Sequence, residues 1–127
     1  MSDLQSGLVK FLKKQAHSMR PVVIIGKHGS QDSVMSKVDT ELTVHELIKV
    51  RILDDESAPI RDTANTLATS CRAILVQCIG KTIVLFRLNH KLPADTPIKA
   101  CGLVLDRSVV RRLMFTTPKQ RRSNVDG

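Results

Sequence analysis

Apolar residues recur at Leu4, Leu8, Phe11/Leu12, Ala16 and Met19, a spacing that predicts a helix over residues 4–19. Lys10, Lys13, Lys14 and His17 stand at i, i+3, i+4 and i+7, so they share another face of that helix. Pro21 ends it, because a proline pushes the residue before it out of helical backbone. The run Val22-Val23-Ile24-Ile25 reads as a short buried strand and leads straight into Gly26-Lys27-His28-Gly29. Val34/Met35, Val38 and Leu42 mark a second helix over residues 31–44, with Ser30 or Asp32 placed to cap it. Residues 45–52 alternate and predict a strand. Asp54-Asp55-Glu56 is an acidic turn, Ser57 is a suitable cap, and Pro59 fits the first turn of a third helix marked by Ile60, Ala64, Leu67/Ala68 and Cys71. Residues 73–79 and 82–86 are two strands around Gly80-Lys81, a hairpin.

The resulting order, α-β-α-β-α-β-β, predicts an α/β fold of the α+β sandwich type, with helices against a mixed four-stranded sheet. One domain spans residues 1–88, and residues 89–127 form a basic C-terminal extension, partly disordered. Pro93, Pro97 and Gly102 interrupt that extension. Residues 98–105 read as one short strand, Val109 to Met114 as a helical turn, and the end, Pro118 to Ser123, as a disordered basic arm.

Charge changes the picture more than composition does. The 127 residues carry a formal net charge of +8 with a pI near 9.9, which points to a polyanionic partner. The excess is uneven. Residues 91–127 hold eight Lys/Arg against three Asp/Glu, and residues 4–31 hold five Lys/Arg, two His and no acid. Aromatic content is only 2%, with neither Tyr nor Trp, so base stacking on an aromatic sheet face is not expected; phosphate and shape recognition are. Three widely spaced cysteines, Cys71, Cys78 and Cys101, and four scattered histidines suggest neither a disulfide framework nor a metal site. No apolar run is membrane-sized and no secretory signal is visible, which leaves a cytoplasmic protein without membrane contact as the expectation.

The chemistry concentrates at Gly26-Lys27-His28-Gly29. A strand, a GxxG turn and a helix in succession present backbone N–H groups and the positive end of a helix dipole to an anion. Lys27 and His28, at the variable positions, are placed to reach further phosphates or a 2′-hydroxyl. The loop lacks the Lys-Ser/Thr of a nucleotide-binding P-loop and the spacing of a dinucleotide fingerprint. GxxG alone is more often just a tight strand–helix turn; the acid-free basic helix in front of it and the charge of Lys27 favour the binding reading.

Three stretches together, residues 20–29, His45 to Val50 and Leu75 to Arg87, resemble the YhbY family of bacterial proteins, which shares the CRM domain of plant organelle splicing proteins. The resemblance covers about residues 5–88. It implies a CRM fold similar to the C-terminal domain of translation initiation factor three, RNA binding without catalysis or cofactor, and association with precursors of the large ribosomal subunit. Carried over by position, Gly26, Lys27, His28 and Gly29 become the RNA-contacting loop, with Lys10, Lys13, Lys14 and His17 beside it. Ser30-Gln31 departs from the Leu-Thr usual after the loop. His45 is read as structural, and Lys49 and Arg51 as solvent-facing strand residues. A monomer is expected. The alternative is a ribosome-docking protein-interaction module that uses its charge only for steering. An enzyme is not expected, for no Ser/His/Asp or Cys/His set and no functional carboxylate pair is visible.

Overall fold

The computed structural model describes residues 6–26, 31–53, 59–100 and 102–115. The elements are α1 (Ser6–Ala16), β1 (Val23–Ile25), α2 (Gln31–His45), β2 (Leu47–Ile52), α3 (Ile60–Ser70), β3 (Ile74–Ile79), β4 (Thr82–Phe86), β5 (Ile98–Ala100), β6 (Leu103–Leu105) and α4 (Arg107–Phe115). The first seven follow the order expected from the hydrophobic pattern. They build a mixed four-stranded sheet ordered β1-β2-β4-β3, in which β1 is parallel to β2 and the other pairs are antiparallel.

The alternation of β2 explains the layering. Ile48, Val50 and Ile52 point to one face, where Ile83 and Leu85 of β4 join them beneath α2 and α3. Leu47 points to the other, with Val84, Phe86 and Val76 beneath α1. Leu8, Leu12 and Ala16 form the buried stripe of α1. Each leucine so buried contributes about 1.5–3 kcal/mol. Helices therefore cover both faces, and the sheet divides two apolar clusters.

The segment after Leu88 joins the same molecule. Residues 98–105, read from sequence as one strand, are an antiparallel hairpin, because Gly102 takes φ +94° and turns the chain midway. The expected helical turn is a nine-residue helix, α4, packed against α1. Ile98, Ala100, Leu105 and Val110 complete the α1-side cluster.

One interaction fixes this attachment. Glu46, between α2 and β2, is 2% exposed and Arg107 at the start of α4 is 1% exposed. The Arg107 guanidinium donates to both Glu46 carboxylate oxygens, at 2.7 Å to Oε2, and its Nε donates to the Thr96 carbonyl at 2.7 Å. The Asn89 amide donates to the same Oε2 at 2.6 Å. Glu46 has φ +68°, backbone that favours glycine, and the pairing of its side chain gives a reason for a carboxylate to stand there.

At the start of α3 the structure differs from the sequence expectation. Pro59, not Ser57, is the N-cap residue, with its carbonyl accepting from Asp62 and Thr63. Ser57 and the acidic run 54–56 lie outside the described residues, as does the arm from residue 118 onward.

Candidate nucleic-acid interface

Exposed cations on α1 are fixed by what its other face buries. With Leu8, Leu12 and Ala16 turned into the core, Lys10, Lys13 and Lys14 are left exposed, and His17 follows them just past the helix end. Arg20, exposed and next along the chain, lines a shallow cleft with Ser18, Val22 and Gly102. Lys49 is not free for a ligand. Rather than facing solvent as expected, it lies half-buried past the end of α1 and donates to the Met19 carbonyl at 3.0 Å. Arg51, one alternation further along β2, is exposed and has no partner among the described residues. The sequence singled out no role for Arg20 and read Arg51 as a solvent-facing strand residue, which the alternation of β2 leaves exposed.

The other predicted cluster begins where β1 ends. Gly26 is exposed, and a Cβ there would meet nothing within 4 Å. It opens a cleft of 380 Å³ lined by Val23, Ile24, Ile25, Ser33, Val34 and Lys37, between β1, an edge strand of the sheet, and the first turns of α2. Lys37 is paired with Glu41 at 3.2 Å on the surface of α2, a contact worth well under about 1 kcal/mol and readily exchanged for another anion. Lys27, His28 and Gly29, the remainder of the predicted loop, lie outside the described residues. The ends of β1, β2 and β3 share this end of the sheet. From Arg20 to Gly26 the extended chain covers on the order of 20 Å, so the α1 cations and Gly26 flank opposite ends of β1.

Electrostatically the two sides of the sheet differ. Helices α1 and α4 contain no Asp or Glu, whereas α2 contains Asp32, Asp39 and Glu41, and α3 contains Asp62. Several charges on the α2 side are used internally. Arg87 donates to Asp39 Oδ1 at 2.7 Å, to the Cys71 carbonyl at 2.8 Å and to Thr43 Oγ1 at 2.9 Å, tying β4 to α2 and the end of α3. His45 spans Glu41, at 3.3 Å from Nε2, and the Lys99 carbonyl, at 3.2 Å from Nδ1, which bears out its structural reading. Burial, followed by the nearby Asp39 charge, pushes the Cys71 thiol up, a poor setting for a nucleophile. Among the described residues no three His, Cys, Asp or Glu are grouped to hold a metal, and no helix is long and apolar enough to cross a membrane.

The sequence pattern of the CRS1 / YhbY (CRM) domain matches residues 4–87. An RNA-binding protein of Haemophilus influenzae is 31% identical over 99 residues, covering 78% of this chain and 100% of the relative. YqeI of Bacillus subtilis, named as a presumed RNA-binding protein, is 37% identical over 78 residues, 61% of this chain and 81% of its own length. Among solved structures, a Staphylococcus aureus protein described as a candidate RNA binder superposes with a TM-score of 0.58 at 32% identity, covering 70% of this chain and 90% of that one.

Proposed function

Because this chain belongs to the CRS1 / YhbY (CRM) domain family, we propose that it is a non-catalytic RNA-binding protein that grips the backbone of structured RNA and associates with the precursor of the large ribosomal subunit. The observation that carries the reading is the charge division across the sheet. The α1 side offers Lys10, Lys13, Lys14, His17 and Arg20 to solvent, and its helices hold no acid. Such a surface attracts phosphates by releasing their counterions, with a log–log salt slope of about −0.7 to −0.9 per phosphate neutralised. The Gly26-Lys27-His28-Gly29 loop adds backbone donors and a second pair of basic side chains, and the α1 cations fix the direction of the bound strand. RNA is the partner; the protein acts as a cytoplasmic monomer.

The test is a gel shift at two salt concentrations on structured fragments of large-subunit ribosomal RNA. It compares the parent with the Lys27→Asp/His28→Asp double variant, and both again in chains ending at residue 115. A cut at residue 90 would be unsuitable, since it removes core residues along with the charged arm. Severalfold loss from the double substitution in both lengths is expected. If only removal of residues 116–127 weakens binding, the arm is a nonspecific anion binder and ribosome docking through protein becomes the better account. Replacing Lys10, Lys13 and Lys14 by Gln should flatten the salt slope by about two to three units.

A further inference from the structure

Helix α1 covers only part of its face of the sheet. Beyond its end, the pairing register lines up one residue from each strand in a row: Ile24 opposite Arg51, Arg51 opposite Thr82, Thr82 opposite Ile79. Ile24 is 60% exposed and Ile79 63% exposed. Leu53, 54% exposed, comes next in the alternation of β2, and its amide donates to the Ile25 carbonyl at 2.9 Å. Three of the five large apolar side chains exposed among the described residues thus gather at one end of one sheet face, around an unpartnered guanidinium. Strands about 4.8 Å apart make this row about 14 Å long, room for one or two nucleobases laid flat.

We infer that the row Ile24–Arg51–Thr82–Ile79 is a stacking platform for unpaired bases of the RNA, a site that borders the Gly26 cleft through Ile24 and is separate from the phosphate-gripping cations of α1; this rests on the RNA-binding reading. A phosphate gains nothing from isoleucine, and an apolar protein segment gains nothing from an exposed arginine between two aliphatic side chains. A nucleobase uses both. Its π face stacks on a planar guanidinium, its apolar rim packs on aliphatic carbon, and the Thr82 hydroxyl is placed to bond a base edge. Among the described residues the platform lies on the acid-poor side of the sheet, so a strand held by the α1 cations meets it without crossing to the face that carries Asp39, Glu41 and Asp62. Among the described side chains Phe86 is buried and Phe11 half-buried, so on this face arginine and isoleucine do what aromatic side chains do in other single-strand binders.

The experiment uses two RNAs with the same stem, one bearing an unpaired loop with 2-aminopurine in it and one closed as a perfect duplex. Gel shift and 2-aminopurine fluorescence are read for the parent, Arg51→Lys, and Ile24→Ser/Ile79→Ser, with circular dichroism as a check on folding. Lysine keeps the charge and loses the plane. The expected result is that the parent prefers the looped RNA and perturbs the fluorophore, and that both variants lose about fivefold on looped RNA while duplex affinity holds. Equal losses on both RNAs, or no loss on either, would overturn the platform while leaving RNA binding intact. A parent that binds neither RNA would sink the RNA-binding reading itself. If sedimentation shows a parent dimer that the isoleucine substitutions dissociate, the row is an interface between copies and the proposal is wrong.

Discussion

Glu46 departs furthest from what its place in the sequence suggests. A glutamate between a helix and a strand is ordinarily a solvated linker residue. Here it takes backbone that favours glycine and directs its carboxylate into a site closed by Arg107, Asn89 and Thr96. No local pattern announces this, because the partner lies 61 positions away and arginine is rarely buried. The pair is a fragile feature. Two charges withdrawn from water are tolerated only together, so deleting one leaves the other stranded. Glu46→Ala is expected to cost about 3–5 kcal/mol in denaturant unfolding. A double replacement of Glu46 and Arg107 by well-fitting apolar residues should recover much of that loss. Two single costs that add without coupling would show that the pair does not act as a unit.

At the scale of the element, legibility followed the strength of the period. Strands β3 and β4 are largely apolar runs around Gly80-Lys81, and they formed within a residue of expectation. Helix α1 was expected over 4–19; residues 4 and 5 lie outside the described residues, and the helix ends at Ala16 because Met19, though buried, packs beyond the last helical turn. The pair β5 and β6 was harder to see: three residues each are too few to show alternation, and a turn at Gly102 looks like a mere interruption. The start of α4 also hides a cap. Asp106 Oδ1 accepts from the Ser108 amide at 2.9 Å and from its hydroxyl at 2.6 Å. The bonds from Ser108 hold the Asp106 carboxyl below the usual carboxylate range. A depressed folded-state value means that the stabilisation is present above the ordinary pKa and disappears as pH falls through the lowered one. Asp106→Ala should therefore lower Tm at neutral pH, and its gap from the parent should close on acidification through and below the carboxylate range. A gap independent of pH would mean that the charged form adds nothing to the cap.

Across the whole molecule, the basic stretch legible in the sequence became one side of a layered structure, while Gly26, which opens the loop expected to share its task, stands at the far end of β1. What sequence could not supply was the sidedness, since Arg51 comes to the α1 face of the sheet only through strand register. The family match ends at residue 87, yet Ile98, Ala100, Leu105 and Val110 finish the cluster under α1. A chain cut after Leu88 should melt far lower than one cut after Phe115, and should bind a hydrophobic dye in its native state; equal melting of the two would show the hairpin and α4 to be dispensable. This dependence has a consequence for synthesis. As the polypeptide leaves the ribosome, the sheet and α2 emerge before Arg107 exists to meet Glu46. Until then a lone carboxylate and an open apolar face wait at the base of the fold. The domain can take its finished form only once its last helix has cleared the exit tunnel, so a stalled chain that already contains every family-matched residue would still be held short of its native state.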